Sequence, residues 1–254
     1  DQLDAITIRY FRRRFPDCAR AATRLATVSE YSREDIANIC RIPSENISVI
    51  SNAARDVFTP LPPDRQAAIR SLRTGGAPYF VFVGVIQPRK NLTTVLQAFD
   101  RFKQDHGTPH KLVIAGRHGW RYGDVTTVLE AMTHKADVVF TGYLSDEELA
   151  STVGAATALT MVPHFEGFGI PILEAMACGT PVITSNVTSL PEVAGDAALF
   201  VPPTDIHALA SAMSRITHEP TLAHDLSVRG LARSRTYSWD RSADQLWDLA
   251  MSAR

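Results

Sequence analysis

Two carboxylates and two glycines fall close together in Glu166-Gly-Phe-Gly-Ile-Pro-Ile-Leu-Glu174, between an apolar run that ends at Val162 and a helical stretch. Gly167 and Gly169 stand where backbone must approach something closely. A turn of this kind opens a helix whose first N–H groups have no partner within the helix. With the helix dipole behind them, those groups suit a phosphate or a sugar hydroxyl. Glu174 falls in the second helical turn and Glu166 just ahead of the helix. Both carboxylates can therefore face a crevice at the carboxyl ends of strands, where open α/β sheets bind ligands. A second group is Arg89-Lys90, inside Gly84-Val-Ile-Gln-Pro-Arg-Lys-Asn-Leu92 and directly after the apolar run 80–85. Arg presents a planar fork to phosphate oxygens and Lys a compact charge, so the pair can neutralise a phosphate-like anion. Each feature alone has a plain alternative: glycines that only turn the chain, solvated glutamates, a solvated cation pair. Together, at strand ends ahead of helices, they favour chemistry.

The elements that must position these residues alternate from residue 78 onward. Short β-rich runs lie at Tyr79 to Val85, Lys111 to Ala115, Val138 to Thr141, Ala158 to Val162, Pro181 to Thr184 and Ala198 to Val201. Their near-continuous apolar character fits parallel strands covered on both faces. Helical patterns lie between them at Leu92 to Gln104, Asp124 to His134, Asp146 to Ala155, Ile170 to Cys178 and Ile206 to Thr217, with two more beyond Pro220. Ser145 followed by Glu148 has capping-box spacing, and Thr204-Asp205 precedes the helix near Ile206. The expectation is an α/β fold, a doubly wound, Rossmann-like, six-stranded parallel sheet. Upstream, Arg24 to Ser29 and Ile47 to Ile50 read as strands and Ser32 to Cys40 as a helix with a Ser cap. They form an incomplete fragment of a second α/β unit. Pro60, Pro62 and Pro63 interrupt periodicity, so 56–77 reads as a linker. The chain opens at Asp1 in what reads as the middle of a helix, which predicts a truncated first domain.

With 254 residues, 45% hydrophobic and 21% charged, the chain can build one large or two modest cores. A net charge of -1 supplies no global field toward nucleic acid, so a nucleic-acid partner is not expected. Cys18, Cys40 and Cys178 lack the paired spacings of a zinc site or disulfide framework and read as small buried hydrophobes. No carboxylate pair has convincing metal-ligand spacing, so neither a metal nor another cofactor is expected. Asn46, Asn91 and Asn186 begin Asn-x-Ser/Thr triplets, but without a signal peptide or an 18-residue apolar run they read as chance. The expected location is cytoplasmic.

The stretch Glu166-Gly-Phe-Gly-Ile-Pro-Ile-Leu-Glu-Ala-Met-Ala-Cys-Gly-Thr-Pro-Val182 resembles the double-glutamate motif of family-4 retaining glycosyltransferases of the GT-B fold, with the family's seven-residue gap between the glutamates. Gly84-Val-Ile-Gln-Pro-Arg-Lys-Asn91 resembles the same family's first loop. Further similar stretches are Leu112-Val-Ile-Ala-Gly116, Phe140-Thr-Gly-Tyr-Leu-Ser-Asp-Glu-Glu-Leu149 and Ser189-Leu-Pro-Glu-Val-Ala-Gly195, so the likeness runs from about Leu25 to the end. By this resemblance Glu174 bonds the nucleotide ribose and Glu166 lies by the donor sugar. The Gly167, Phe168, Gly169 and Ile170 backbone meets sugar hydroxyls and phosphate, and Arg89 and Lys90, beside Gly84, meet the diphosphate. Backbone around Tyr143 and Leu144 holds the base, with Gly116 and Arg117 as another wall. Trp120 and Tyr122 read equally as packed loop aromatics or donor contacts. His164 reads as a strand-end histidine satisfied by a neighbour.

The resemblance implies a retaining transferase moving a sugar from a nucleotide-sugar donor to a glycan or lipid-linked acceptor. Gly119-Trp120 looks like mannosyl- and rhamnosyl-transferring members that build surface polysaccharides, which points first to GDP-mannose, with UDP-sugars next. Residues 1–55 would be the end of the acceptor domain and the crossing, 78–236 the donor domain, and 237–254 a terminal helix returning toward the acceptor side. The family's first-domain glycine-rich loop and histidine have no counterpart here, so a second chain or domain would complete the fold. The alternative is a non-catalytic nucleotide-binding module. An NAD enzyme would need a Gly-x-Gly-x-x-Gly turn that is absent, and a phosphorylase a pyridoxal lysine for which no site shows. Arg9-Tyr-Phe-Arg-Arg-Arg-Phe15 reads as a solvated helix face or, less favoured, a peripheral contact with the inner face of a membrane.

Overall fold

A computed structural model describes residues 5–117, 119 and 122–252. The first segment contains α1 (Ala5–Ala21), β1 (Leu25–Thr27), α2 (Glu30–Cys40) and β2 (Ile47–Val49). β1 and β2 pair in parallel, Leu25 opposite Ile47, which is the expected fragment of a second α/β unit. Ser29 caps α2 by accepting the Ser32 N–H, and the helix starts at Glu30, two residues earlier than expected.

The stretch 56–77 is not an open linker, because α3 (Pro63–Thr74) occupies most of it. Prolines that read as breakers sit where they cost nothing. Pro62 is the N-cap and Pro63 the first helical residue, whose missing N–H would have been unpaired anyway. Gly75 closes the helix at φ 68, returning its N–H to Arg70 and Ser71 carbonyls. Arg70 Nε then fixes α3 to the main body through the Ala155 carbonyl at 2.8 Å.

The main body contains β3 (Tyr79–Val83), α4 (Leu92–His106), β4 (Lys111–Ala115), α5 (Tyr122–Ala131), β5 (Val138–Gly142), α6 (Asp146–Gly154), β6 (Ala158–Met161), α7 (Ile170–Ala177), β7 (Val182–Ser185), α8 (Leu190–Ala194), β8 (Leu199–Val201), α9 (Ile206–His218) and α10 (Pro220–Ser234). All residues of β3 are buried. Tyr79, Val81 and Val83 enter one core with Ile172 and Leu173, and Phe80 and Phe82 enter the other with Phe99, Phe102 and Met213. The period of two sends alternate side chains to opposite covered faces, and each buried aromatic contributes about 1.5–3 kcal/mol.

The six strands are parallel in the order β5-β4-β3-β6-β7-β8. The chain winds outward from β3 to β5, then returns to lay β6 on the other side of β3. That reversal opens a crevice beyond the carboxyl ends of β3 and β6. The expected caps are present: Ser145 and Glu148 form a full capping box on α6, and Asp205 accepts the Ala208 N–H ahead of α9.

α11 (Trp239–Met251) returns to the first segment, where Ser242 Oγ donates to the Ser51 carbonyl at 2.6 Å. Tyr10, Phe11 and Phe15 on α1, and Leu246 and Trp247 on α11, stay exposed. Among the described residues no helix is long and apolar enough to cross a membrane.

His110, just ahead of β4, gives the fold an acid sensitivity. It is buried, its ring stacks on Phe80 at 5.3 Å, and Nδ1 lies 3.2 Å from Thr108 Oγ1. Burial, helped by the Lys103 charge, lowers its pKa from 6.5 to about 4. The folded state thus disfavours the imidazolium, so this contribution is intact above pH 6.5 and is lost as pH falls toward 4. The loss reaches up to about 3 kcal/mol at about 1.4 kcal/mol per pH unit. Urea denaturation at pH 7 and 4.5 should show it in the wild type and not in His110→Phe. Equal acid sensitivity of the two would remove this assignment.

Candidate functional site

The loop after β3 and the loop after β6 meet across the crevice. Asn91 pins the first of them: at φ 57 its Nδ2 donates to the Val162 carbonyl at 2.9 Å and the Pro203 carbonyl at 2.6 Å, and its Oδ1 accepts from Thr94. The short 3-10 turn Pro88–Lys90 is thereby held at the mouth. Lys90 is buried, an arrangement a lysine tolerates only when its charge is matched. Its Nζ donates to Glu166 Oε2 at 2.6 Å, and Arg89 Nη1 donates to the same oxygen at 2.9 Å and to the Phe165 carbonyl at 2.7 Å. The three residues expected to do the chemistry therefore form one cluster. One carboxylate oxygen of Glu166 accepts from both cations.

Glu166 is also fixed through its backbone. Its N–H donates to Thr188 Oγ1 at 3.3 Å and its carbonyl accepts from Ser189 Oγ at 2.8 Å. Thr188 has φ 58, a costly conformation for a β-branched residue, and it lies against this cluster.

Gly169 takes φ 103 as the N-cap of α7, a backbone that other residues rarely adopt. The N–H groups of Gly167, Phe168, Gly169 and Ile170 donate to no described partner. They form the expected run of open donors at a helix start. The Gly167 carbonyl is held by Ser29 Oγ at 2.7 Å and Ser32 Oγ at 3.1 Å, and Glu192 bonds the Glu30 and Tyr31 N–H groups. The first segment thus grips the Gly-Phe-Gly turn. The Phe168 side chain is buried against Tyr237, ring centroids 5.7 Å apart, so only its backbone is offered to the crevice.

Glu174 lies on α7 with 2% exposure. Its Oε1 accepts from Arg55 Nε at 2.7 Å, and Arg55 also pairs with Asp146 at the start of α6. Burial raises the Glu174 pKa and the Arg55 hydrogen bond and charge oppose the rise. The Arg117 guanidinium lies 5.3 Å from the Tyr143 ring centroid and the Gly116 N–H donates to the Gly142 carbonyl at 3.0 Å; Tyr143 is exposed and Leu144 buried. Gly84 and Gly116 bring two strand ends into contact through the Gly84 N–H to the Ala115 carbonyl at 2.9 Å. His164 donates its N–H to the Arg89 carbonyl at 3.0 Å, and its exposed side chain has no hydrogen-bond partner among the described residues, unlike the satisfied histidine expected. The suggested contacts of Trp120 and of the Tyr122 side chain lie outside the described residues. Among the described residues no group of three or more His, Cys, Asp or Glu could hold a metal ion.

Sequence reading missed Ser29, Ser32, Arg55, Thr188 and Glu192. Arg55 meets Glu174 across 119 residues, a distance that no local pattern reports. Ser29 carried the one usable signal, a cap hydroxyl at a helix start.

A parallel doubly wound sheet with a carboxylate and cation cluster at its switch point places charged side chains where open α/β folds bind their ligands. The chain belongs to the family described as glycosyl transferases group 1, whose model matches residues 64–233. It is 30% identical over 239 residues to O-antigen chain mannosyltransferase B of Escherichia coli, covering 94% of this chain and 63% of that protein. It is also 30% identical over 232 residues to MMP alpha-(1->4)-mannosyltransferase of Mycolicibacterium hassiacum, covering 89% of this chain and 53% of that protein. The chain thus spans between half and two-thirds of these two relatives. Sucrose-phosphate synthase from Thermosynechococcus elongatus superimposes with a TM-score of 0.76 at 27% identity, over 89% of this chain and 57% of that one. Anabaena HepE, solved with UDP and glucose, matches the fold at 16% identity with a TM-score of 0.81, over 92% of this chain and 64% of that one. The architecture is that of GT-B glycosyltransferases.

Proposed function

We propose that this chain binds the nucleotide-sugar donor of a retaining glycosyltransferase that extends a glycan or lipid-linked acceptor, with GDP-mannose as donor in surface polysaccharide synthesis. The observation that carries the reading is the grip of Arg89 and Lys90 on one oxygen of Glu166, beside the four open N–H groups that start α7. An entering diphosphate takes Glu166's place on the two cations. Glu166 is then released toward the sugar, where its negative charge favours positive charge developing on the ring. Arg89, Lys90 and the N–H groups take up the charge of the departing diphosphate, so no metal or other cofactor is required. Glu174 accepts from the ribose, and Tyr143 with Arg117 frames the base. The two mannosyltransferase relatives favour a mannosyl donor.

In this reading residues 78–236 are the donor domain and 1–55 belong to the acceptor side. The exposed apolar residues of α1 and α11 are covered by an acceptor domain or a second chain. In this reading the site works in the cytoplasm.

A thermal-shift panel of GDP, UDP, ADP and dTDP identifies the base, because a ligand that binds only the folded state raises its melting temperature according to affinity. Glu174→Ala should weaken the best nucleotide about tenfold or more, the value of one hydrogen bond to a charged group. Unchanged affinity by calorimetry would remove Glu174 from the ribose.

A further inference from the structure

We infer that Arg55 is a positioning residue for ribose recognition: it occupies one oxygen of Glu174, fixes the orientation of that carboxylate, and presents the other oxygen to the ligand. The inference rests on the proposed role of Glu174. Arg55 Nε donates to Oε1 at 2.7 Å, whereas Oε2 has no protein donor among the described residues and is not sealed from solvent. The guanidinium is itself fixed from two further directions. Asp146 takes Nη1, and Cζ stacks 4.9 Å from the centroid of the buried Phe58 ring. Asp146 lies two residues beyond Leu144, so the Arg55 side chain ties the segment proposed as the base wall to the ribose carboxylate. Both are anchored to residues that precede the main sheet.

The charge logic explains why an arginine is useful here. A carboxylate with 2% exposure is driven toward its neutral form by lost hydration, and a neutral acid is a poorer acceptor for a ribose hydroxyl. Arg55 opposes that drive, while Asp146 adds to it. Cys178, the C-cap of α7 one turn beyond Glu174, has its thiol pushed up to about 12 by burial and then by the Glu174 charge, so it stays neutral in the same range. Among the described residues, Arg55 and Asp146 are the charged groups that act on Glu174.

The test is calorimetry with GDP-mannose and with UDP-glucose between pH 5.5 and 8, a range in which a sugar-esterified diphosphate does not titrate. Wild type, Arg55→Met, Arg55→Lys and Glu174→Ala are compared, with melting curves to confirm folding. Arg55→Met should bind within about threefold of wild type at pH 8 and lose about tenfold at pH 5.5, where its Glu174 takes up a proton. Wild type should change less than twofold, and Arg55→Lys should restore most of the low-pH binding. A loss in Arg55→Met that is the same at every pH, or no loss at all, overturns the inference. If instead Glu174→Ala binds like wild type throughout, the ribose assignment itself fails.

Discussion

Replacing Arg89 and Lys90 together with Ala should lower the affinity for a nucleoside diphosphate by about two to four orders of magnitude. Each hydrogen bond to a charged group contributes about 1.5–3 kcal/mol, and about 1.4 kcal/mol is a factor of ten. Both side chains are largely shielded, with 26% and 11% exposure, so solvent screens them little. The effect is bounded by Glu166, which already satisfies both cations and must give way to the ligand. Glu166→Gln should therefore move the other way and raise diphosphate affinity several-fold, by removing a competing anion from the same two donors. Calorimetry at fixed ionic strength measures both variants, and their melting temperatures separate a lost site from a lost fold. An alanine pair that binds within threefold of wild type would remove these residues from the phosphate site.

The opposite signs expected of neighbouring residues come from the geometry that sequence reading left out. Strand and helix alternation is visible in sequence because periodicity is local: buried parallel strands are apolar throughout, and caps such as Ser145 with Glu148 lie within one turn. The two loops that carry Arg89, Lys90 and Glu166 were legible for the same reason, since each follows an apolar run. That they bond one another is a consequence of strand order, because β6 returns to the side of β3 instead of continuing outward. The same holds for Arg55 on Glu174 and for Ser29 on Gly167, contacts between segments more than a hundred residues apart. Helix α3 was hidden differently. Its prolines are breakers inside a helix and starters at its first position, and only the fold says which applies. The five-residue α8 is too short for periodicity to reveal, yet Glu192 on it receives the start of α2.

The second large effect concerns a residue with no side chain. A Cβ built on Gly116 would lie 1.9 Å from the Gly84 carbonyl oxygen and 2.7 Å from its carbon. Both atoms are backbone, so no rotamer relieves the contact, and the ends of β3 and β4 must separate by more than 1 Å, on the order of the overlap. Separation strains the Gly84 N–H to Ala115 bond at 2.9 Å and the Ile86 N–H to Arg117 bond at 3.0 Å, the pair that closes the sheet at the crevice. Overpacking of about 1–3 kcal/mol and strained hydrogen bonds of about 1 kcal/mol each give a loss of about 3–5 kcal/mol. In a domain of this size that lowers the melting temperature by about 10 °C. Gly123→Ala is the control, because Gly123 lies in α5 with nothing among the described residues within 4 Å of its Cβ position. There alanine should stabilise by up to about 1 kcal/mol, since it is the better helix former. In the same melts Gly116→Ala should also lose nucleotide-induced stabilisation, because Gly84, Arg117 and the Tyr143 stack hang from the junction it disrupts. A Gly116→Ala protein that melts with the wild type and still responds to nucleotide would mean that the two strand ends are not held in contact.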